Sequence, residues 1–334
     1  TLSKQKSMKT HSWGILGTGS IAHKLSRALA LLDNARLHSV GSRDIEKAST
    51  FAAEFGFHKR FGSYEEFLAD PDLEIVYISS PHSLHLEHTL LALHNGKHVI
   101  CEKPMSINAS EVKEMADAAT TRGLFLMEAL WPPFQPSYIK AEEILSGGKM
   151  GKLLHMRGKF AFIAPYDPKL RTYNIEFGGG SLLDVGIYPI MDILRYMGVP
   201  DSIEATAVLS PTGADESTSM IFKYNDGRLA EAYCSFGTMA GTSTEFNCEK
   251  GNLILSRGRD RSQHLLIEYG NDTEERIFTP PAQGYQYEAV EVMNCIEKGL
   301  KQSPVVPLSF TLNLARILDS VRNKAGIRYP GRDK

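Results

Sequence analysis

Two short runs of the sequence carry side chains that could exchange a proton with a substrate. In Glu102-Lys103-Pro104 the proline fixes the backbone after the lysine and holds it away from helical geometry, so the lysine projects from a strand end. In Asp184-Val185-Gly186-Ile187-Tyr188 the two polar side chains are four residues apart and would share a helix face. We interpret Tyr188 as an acid–base group, Lys103 as the cation that lowers its pKa from about 10, and Asp184 as the residue that holds the substrate or the catalytic network.

Each of these residues also has an ordinary interpretation. A lysine is most often a solvated surface residue, and a tyrosine at helical spacing most often packs in a core. An aspartate on a helix often makes only a local hydrogen bond. The catalytic interpretation therefore depends on Lys103 meeting Asp184 and Tyr188 in space. The run Gly178-Gly179-Gly180, just before the helix, is expected to let the backbone approach a flat cofactor or a sugar.

A cofactor site is predicted by Gly17-Thr18-Gly19-Ser20-Ile21-Ala22, which follows a short buried strand and opens an amphipathic helix. The spacing G-x-G-x-x-A is typical of dinucleotide binding, because the glycines allow a tight turn and a close pyrophosphate, and the alanine lets the helix pack on the strand. The free N–H groups and the positive dipole end of that helix would bind the phosphates. We expect cofactor contacts from Gly17, Gly19, Ser20 and Ile21.

The second strand ends at Gly41-Ser42-Arg43-Asp44. Dinucleotide-binding folds place the residue that binds the adenosine ribose at this position. A guanidinium beside a hydroxyl suits a 2′-phosphate, so Ser42 and Arg43 favour NADP. Asp44 leaves NAD open, because its carboxylate could reach the ribose. Its other interpretation is the N-cap of the helix that begins at Ile45.

The ends of two further strands supply more predicted cofactor contacts: Ser80, His82 and His85 after one, and Glu102 and Lys103 after the other. His82, His85 and His88 have the spacing H-x-x-H-x-x-H, which invites a metal interpretation. On a helix, side chains at successive three-residue spacings are rotated relative to one another, so these three histidines would not share one face. No nearby cysteine or cluster of acids completes a ligand set. No metal is predicted.

Strands and helices that alternate from Ser12 to about Glu128 would position these residues. This order predicts an α/β fold with a doubly wound parallel sheet, a Rossmann domain over residues 8–128, and a ligand site at the carboxyl ends of the strands. After Trp131 short strands dominate, and Asn225-Asp226-Gly227 predicts a hairpin. We expect an α+β domain over residues 129–334 with an open, mainly antiparallel sheet that buries one face in a homodimer.

Composition narrows the possible partners. The chain has 334 residues, a formal net charge of −2, and 42% hydrophobic and 23% charged residues, which gives no reason to expect nucleic acid or an anionic membrane as partner. No apolar run is long enough to span a bilayer, and the polar residues 1–12 lack the apolar centre of a secretory signal. Four widely spaced cysteines without a C-x-x-C pair indicate reduced thiols in a cytoplasmic protein.

Three patterns in order resemble the glucose–fructose oxidoreductase/inositol dehydrogenase (Gfo/Idh/MocA) family over nearly the whole chain. They are the glycine turn at 17–22, Glu102-Lys103-Pro104, and Gly178-Gly179-Gly180-x-x-x-Asp184-x-Gly186-x-Tyr188. The resemblance implies a Rossmann domain followed by an α/β domain with an open antiparallel sheet. It also implies catalytic roles for the lysine and for the D-x-G-x-H pair, here Lys103, Asp184 and Tyr188.

The chain departs from many family members in one position, because Tyr188 stands where they have histidine. Tyrosine there is similar to the branch that contains dimeric dihydrodiol dehydrogenase, glucose–fructose oxidoreductase and NADP-dependent D-xylose dehydrogenases. The stretches 62–66, 125–131 and 303–308 are similar to the dihydrodiol dehydrogenase type. That branch favours NADP, in line with Arg43.

The resulting prediction is an NADP-dependent oxidoreductase that transfers a hydride between nicotinamide and a CH–OH or C=O group of a sugar, cyclic polyol or trans-dihydrodiol. Trp131 and Phe160 are candidate walls of the substrate pocket beside Asp184 and Tyr188, with core packing as their alternative, and loops such as 164–176 would set specificity. Two other functions stay open. One is a non-catalytic NADP-binding sensor, and the other is a cofactor-assisted reaction with tightly bound NAD(P), such as aldose–ketose oxidoreduction or glycoside cleavage.

Overall fold

The computed structural model describes residues 9–258 and 260–333. The first part of the chain forms the strands β1 (His11–Leu16), β2 (Ala35–Gly41), β3 (Lys59–Phe61), β4 (Ile75–Ile78), β5 (His98–Glu102) and β6 (Leu126–Ala129). Within the described ranges these form a six-stranded parallel sheet in the order β3-β2-β1-β4-β5-β6. This is the predicted doubly wound sheet, and its strand order reverses between β1 and β4, where such folds open a crevice for a ligand.

Helices cover both faces of this sheet: α1 (Ser20–Leu29), α2 (Ile45–Phe55), α3 (Tyr64–Ala69), α4 (His85–His94) and α5 (Ala109–Arg122). The side chains of Asp44, Ser63 and Asn108 cap α2, α3 and α5 by accepting bonds from backbone N–H groups. The N-cap of α1 is Gly19, which has no side chain to do this. The first N–H groups of α1 are therefore open to a ligand.

The rest of the chain contains α6 (Pro136–Ser146), α7 (Ile187–Met197), α8 (Tyr285–Glu297) and α9 (Leu308–Ala325). Its strands are β7 (Leu153–Ile163), β8 (Ser202–Leu209), β9 (Asp215–Lys223), β10 (Leu229–Ser235), β11 (Gly237–Cys248), β12 (Gly251–Arg257), β13 (Gln263–Tyr269) and β14 (Asp272–Phe278). They form one sheet in the order β14-β13-β12-β11-β7-β10-β9-β8. Only β7 and β10 run parallel among the described neighbours, so the expected open, mainly antiparallel sheet is confirmed.

Two elements differ from the sequence-based expectation. The strand β14 is not predicted, because its sequence Asp-Thr-Glu-Glu-Arg-Ile-Phe is polar on both faces and mostly exposed at the sheet edge. The helix expected to carry Asp184 and Tyr188 is present, but it opens with a π-helical turn, Leu182–Gly186, before α7. The hairpin at Asn225-Asp226-Gly227 is confirmed between β9 and β10.

The last helices return to the first half of the chain. α8 packs on α1, and α9 packs on α5 and β8. After α9, the Tyr329 hydroxyl donates to the carbonyl of Gly179 over 2.8 Å, and Arg332 donates to the carbonyl of Ser83 over 2.6 Å. The division of the chain at 128/129 stays a prediction, and its outer ends, Met8 and Lys334, lie outside the described residues.

Two further observations concern the environment of the protein. No helix in the described ranges combines the length and the apolar character that crossing a membrane requires. All four cysteines are free thiols, and Cys101, Cys234 and Cys295 are buried. The cytoplasmic location stays a prediction.

Candidate active site

A cleft of about 600 Å³ lies where the carboxyl ends of β1, β2, β4 and β5 face the start of α7. Nearly all residues predicted to bind or act line it together. They are Gly17, Gly19, Ser20, Ile21, Ser42, Arg43, Ser80, His82, Glu102, Lys103, Trp131, Phe160, Asp184 and Tyr188. Residues separated by more than half of the chain thus meet at one site, as the alternating order of strands and helices predicts.

The glycine turn fits a dinucleotide. Gly17 has φ +96°, and a Cβ there would lie 3.3 Å from the carbonyl oxygen of Ser79, so only glycine allows this turn. Gly19 leaves open space above the backbone, with Ser79 the nearest group at 3.9 Å from a built Cβ. The uncapped start of α1 carries no acidic residue in its first turn, so nothing negative competes with a phosphate.

The end of the cleft beside β2 carries the residues that would meet the adenosine ribose. Arg43 is exposed there and Lys47 lies on the first turn of α2. The carboxylate of Asp44 accepts from the backbone N–H groups of Glu46 and Lys47 over 3.0 and 3.3 Å, which confirms its N-cap interpretation. These two bonds hold the pKa of Asp44 below its ordinary value and keep its carboxylate engaged with its own helix.

The three histidines after β4 do not converge on one point. His82 lines the cleft, and its Nδ1 lies 3.1 Å from the carbonyl oxygen of Gly178. His88 contacts the Ser80 hydroxyl through Nδ1 over 2.9 Å. His85 lies outside the cleft lining, fully buried, with its two ring nitrogens 2.8 Å from the carbonyl oxygens of Pro104 and Ser80. The structure therefore does not bring the His85 side chain to the predicted cofactor contact, because its ring joins the two loops behind the cleft.

Lys103 and Asp184 meet as predicted. The Lys103 ammonium donates to the carboxylate Oδ1 of Asp184 over 2.9 Å and to its backbone carbonyl over 2.5 Å. Arg171, which the sequence analysis missed, donates to the same carboxylate over 3.1 and 3.4 Å. Burial alone would raise the pKa of Asp184, but the Lys103 and Arg171 cations hold it well below its usual range. Asp184 is thus a fixed anion that binds two cations.

The Tyr188 hydroxyl is half-buried and accepts a hydrogen bond from Trp131 Nε1 over 3.1 Å. The Lys103 ammonium lies over the Tyr188 ring, 5.3 Å from its centroid. Burial and then the nearby charge of Glu102 raise the pKa of the Tyr188 phenol. The expected lowering of this pKa is not found in this structure, because burial acts in the opposite direction.

Asp215 holds the turn that carries Asp184. Its buried carboxylate accepts from the Ser181 hydroxyl and from the backbone N–H of Leu182 over 2.7 and 2.8 Å. A side chain at Gly180, which has φ +126°, would collide with the Asp215 carboxylate. The glycine run therefore packs against protein and does not line the cleft, contrary to the expectation of a close approach to a ligand.

Glu102 connects the lysine to the centre of the sheet. Its carboxylate accepts from the hydroxyl of Tyr77, on β4, and from the backbone N–H of Lys103 over 3.1 Å. Burial raises the pKa of Glu102. The peptide bond between Lys103 and Pro104 is cis.

Aromatic side chains form one wall of the cleft. Phe160 lies 5.6 Å from Tyr188 between ring centroids, and Trp131 lies 6.3 Å from it. The sequence analysis missed two further members of this wall, Tyr285, 5.4 Å from Trp131, and Arg257, whose guanidinium lies 4.5 Å from the Trp131 centroid. Neither residue carries a local sequence signal, because a later strand and helix bring them to the cleft.

Two domain models match this chain. Residues 11–130 match the model described as an oxidoreductase family with an NAD-binding Rossmann fold, and residues 138–254 match the GFO/IDH/MocA C-terminal domain. The chain belongs to the Gfo/Idh/MocA oxidoreductase family. The resemblance drawn from the three sequence patterns is therefore confirmed. The predicted fold class and the predicted enzyme class, a dehydrogenase that acts on CH–OH groups, are confirmed as well. Its cofactor class is a nicotinamide dinucleotide.

Individual proteins extend the comparison. The chain is 35% identical over 332 residues to a trans-1,2-dihydrobenzene-1,2-diol dehydrogenase of Mus musculus, which covers 95% of this chain and 98% of that protein. Its fold is similar to levoglucosan dehydrogenase in complex with NADH and levoglucosan, with TM-score 0.86, 20% identity and coverage of 95% and 97% of the two chains. It is also similar to a 3-ketoreductase from Actinomadura kijaniata in complex with NADP and TDP-benzene, with TM-score 0.85, 23% identity and coverage of 95% and 98%.

Proposed function

We propose that this family member uses NADP to interconvert a CH–OH group and a C=O group of a sugar, cyclic polyol or trans-dihydrodiol. The observation that carries the proposal is the meeting of Lys103, Asp184 and Tyr188 at the cleft that the glycine turn opens. The name of the mouse relative, a trans-dihydrodiol dehydrogenase, supports the substrate class. A cleft of about 600 Å³ has room for a dinucleotide's reactive end and a small ring beside it.

The preference for NADP is supported by the charges at the β2 end of the cleft. Arg43 is exposed beside the Ser42 hydroxyl, and Lys47 adds a second cation. Asp44, the residue that would favour NAD, is engaged as a helix cap. A guanidinium binds a 2′-phosphate through charge-assisted hydrogen bonds, which NAD cannot make.

Tyr188 is the proposed acid–base group. A bound nicotinamide dinucleotide supplies the hydride donor or acceptor. The Tyr188 hydroxyl donates its proton to the substrate oxygen during carbonyl reduction, which leaves a phenolate, and that phenolate takes the proton of the substrate hydroxyl during oxidation. Trp131 fixes the phenol oxygen by donating to it over 3.1 Å, which leaves the hydroxyl proton free to point at the substrate.

Lys103 and Asp184 are proposed to orient the substrate and to tune the charge near Tyr188. Because Asp184 stays ionised between two cations, it can accept a hydrogen bond from a neighbouring substrate hydroxyl. Lys103 has one remaining N–H donor after its two bonds to Asp184, and that donor can reach the substrate oxygen. Both groups would hold the reacting carbon in place and stabilise charge that develops on its oxygen.

Tyr188→Phe tests the proposed function. The variant keeps the ring contacts with Phe160 and Trp131 and removes the proton donor, so turnover should fall by about 10²- to 10⁴-fold while NADPH binding stays within about twofold. The measurement is a panel of sugars, cyclic polyols and dihydrodiols assayed with NADP and NAD, combined with NADPH fluorescence titration. Phe160→Leu serves as a control, because it changes the same aromatic wall of the cleft but removes no proton donor. Near-normal turnover in Tyr188→Phe would remove the proposed acid–base role.

A homodimer through the second sheet is part of the proposal. The outer face of this sheet exposes Val208 on β8, Ile221 on β9 and Leu229 on β10. Apolar side chains on an open sheet face favour burial against a second copy. Ile221→Lys combined with Leu229→Lys should shift the protein to a monomer in light scattering, with the fold retained by circular dichroism.

A further inference from the structure

The cleft is lined by more cationic than anionic side chains. Six cations face three carboxylates: Lys24, Arg43, Lys47, Lys103, Arg171 and Arg257 against Asp44, Glu102 and Asp184. Three of the six cations lie beside a carboxylate. Lys103 and Arg171 bond to Asp184, and the Lys47 ammonium lies 3.7 Å from the Asp44 carboxylate. Within the described ranges, Arg43, Lys24 and Arg257 form no ion pair. Arg43 lies at the adenosine end, which leaves Lys24 and Arg257 for another ligand.

Arg257 ends β12 and reaches the cleft from the second sheet. Its guanidinium lies 4.5 Å from the centroid of Trp131, the residue that donates to the Tyr188 hydroxyl. Its Nη2 is buried and has no hydrogen-bond acceptor among the described residues. A buried, unpaired donor on a charged group costs free energy that an arriving acceptor recovers.

Lys24 approaches the same aromatic wall from α1. Its ammonium lies 5.8 Å from the centroid of Tyr285, and the ring of Tyr285 lies 5.4 Å from that of Trp131. Burial, followed by the positive charges of Arg261 and Arg257, lowers the pKa of Lys24. Two like charges therefore share one apolar surface, an arrangement that an anion between them would stabilise.

We propose that Arg257, with Lys24, binds a carboxylate of the substrate, so that the enzyme prefers a hydroxylated carboxylic acid such as a uronic acid to the matching neutral sugar. The inference rests on the proposed function and assigns the substrate class of the same site. A guanidinium presents two parallel N–H donors that match a carboxylate, and that of Arg257 lies over the Trp131 ring in a cation–π contact. Because Trp131 contacts both Arg257 and Tyr188, the carboxylate and the reacting hydroxyl would lie on one small molecule.

The cofactor is the other possible source of the anion, because a dinucleotide carries a pyrophosphate. The glycine turn and the uncapped N-terminus of α1 already offer N–H groups to that pyrophosphate. Arg257 reaches the cleft from the second sheet, and its guanidinium lies over the ring of Trp131, the residue that donates to Tyr188. This placement favours the substrate, and the experiment separates the two sources.

The test uses Arg257→Met, which keeps the side-chain length and removes the charge, and Arg257→Lys, which keeps the charge and removes the fork. Each variant is assayed with matched pairs, glucose against glucuronate and galactose against galacturonate. The wild type should prefer the acid by tenfold or more in kcat/KM. In Arg257→Met the value for the acid should fall by about 10- to 100-fold, with Arg257→Lys between the two and the neutral sugar within about threefold.

A binding measurement accompanies the assay. Glucuronate should raise the melting temperature of the wild type with NADPH bound, and this shift should vanish in Arg257→Met. Arg316→Met, which changes an exposed arginine on α9 outside the cleft lining, makes the same change in net charge and should behave as the wild type. The melting temperatures of the variants alone report whether each is folded.

Three results would overturn the inference. They are a wild type that neither binds glucuronate nor prefers the acids, an equal loss for acids and neutral sugars in Arg257→Met, and a loss of NADPH affinity in that variant, which would assign Arg257 to the pyrophosphate. If instead glucuronate binds in an Arg257-dependent way but no compound of the panel is turned over, the proposed function fails and the carboxylate site stands.

Discussion

The two ends of the cleft hold their charges in opposite ways. At the adenosine end, Arg43 and Lys47 are exposed on a turn and a helix start, and each meets water. At the reaction end, the Lys103 and Asp184 side chains are 12% and 8% exposed and share their charges with Arg171 through bonds of 2.9 and 3.1 Å. Exposed charges are screened by salt and couple only weakly to their neighbours, whereas buried charges are strongly coupled, so that removing one of them impairs the others. The comparison can be tested at both ends.

Lys103→Met should produce the largest effect, a fall in kcat of about 10³-fold, because Asp184 loses its nearest cation and the substrate loses a donor. Lys47→Met, the matched change at the exposed end, should leave kcat within about twofold. Steady-state kinetics of both variants, and of Lys103→Met combined with Tyr188→Phe, check this. Groups that act as a unit should lose no more together than the worse single change. Losses that multiply in the double variant would show that the two residues act independently.

The pH dependence should differ between the two directions of the reaction. Because burial raises the pKa of Tyr188, the phenol is protonated near neutral pH and ready to donate. Carbonyl reduction should therefore stay flat from about pH 6 to 9, while kcat/KM for oxidation rises about tenfold per pH unit with the phenolate fraction. Tyr188→Phe should abolish the slope. A plateau of the oxidation rate below pH 7 would mean that the pKa is lowered, contrary to the structure.

Arg43→Gln should affect only the exposed end. The loss of a charge-assisted contact to a 2′-phosphate should lower kcat/KM for NADP by about 10- to 30-fold, with the value for NAD within about twofold. Raising the ionic strength should reproduce part of this loss in the wild type, because the guanidinium is solvated. Equal losses with NADP and NAD would place Arg43 away from the 2′-phosphate.

Substitutions of Asp44 should have the smallest effect. They distinguish a helix-capping role of its carboxylate from a role in binding the ribose. Asp44→Ala removes the cap of α2 and should lower the free energy of unfolding slightly, as measured by denaturant titration. Asp44→Asn keeps a capping oxygen and should retain nearly full stability. If the carboxylate instead binds a ribose, Asp44→Asn should weaken NAD binding while the stability stays unchanged.

Local chemistry explains why the first sheet was predictable. Buried apolar strands such as β4, helix caps such as Asp44, and glycines after helix ends mark each element within a few neighbouring residues. The bounds of β2 and α2 follow from such signals. In the second half, β14 carries polar residues on both faces, and the π-helical turn at Leu182–Gly186 has no signal of its own. Both depend on contacts made elsewhere in the fold.

The site was predictable only where a pattern joined several residues. Lys103, Asp184 and Tyr188 could be named because three patterns occur in order, and the structure brings them together. Arg171 and Arg257 could not, since a loop and a strand end deliver them without a local signal. The direction of the pKa change at Tyr188 was also not predictable, because burial of the phenol decides it. That burial is set by three-dimensional packing, which the spacing of residues does not reveal.

The contact of Tyr329 with the carbonyl of Gly179 has a consequence for how the protein is made. Residues of the glycine turn are translated early, but α1 and α5 gain their packing against α8 and α9 only after the end of the chain has emerged. The contact of Tyr329 with the loop before Asp184 forms later still, because Tyr329 follows α9 in the chain. The order of synthesis therefore delays completion of the site until nearly the whole chain has left the ribosome.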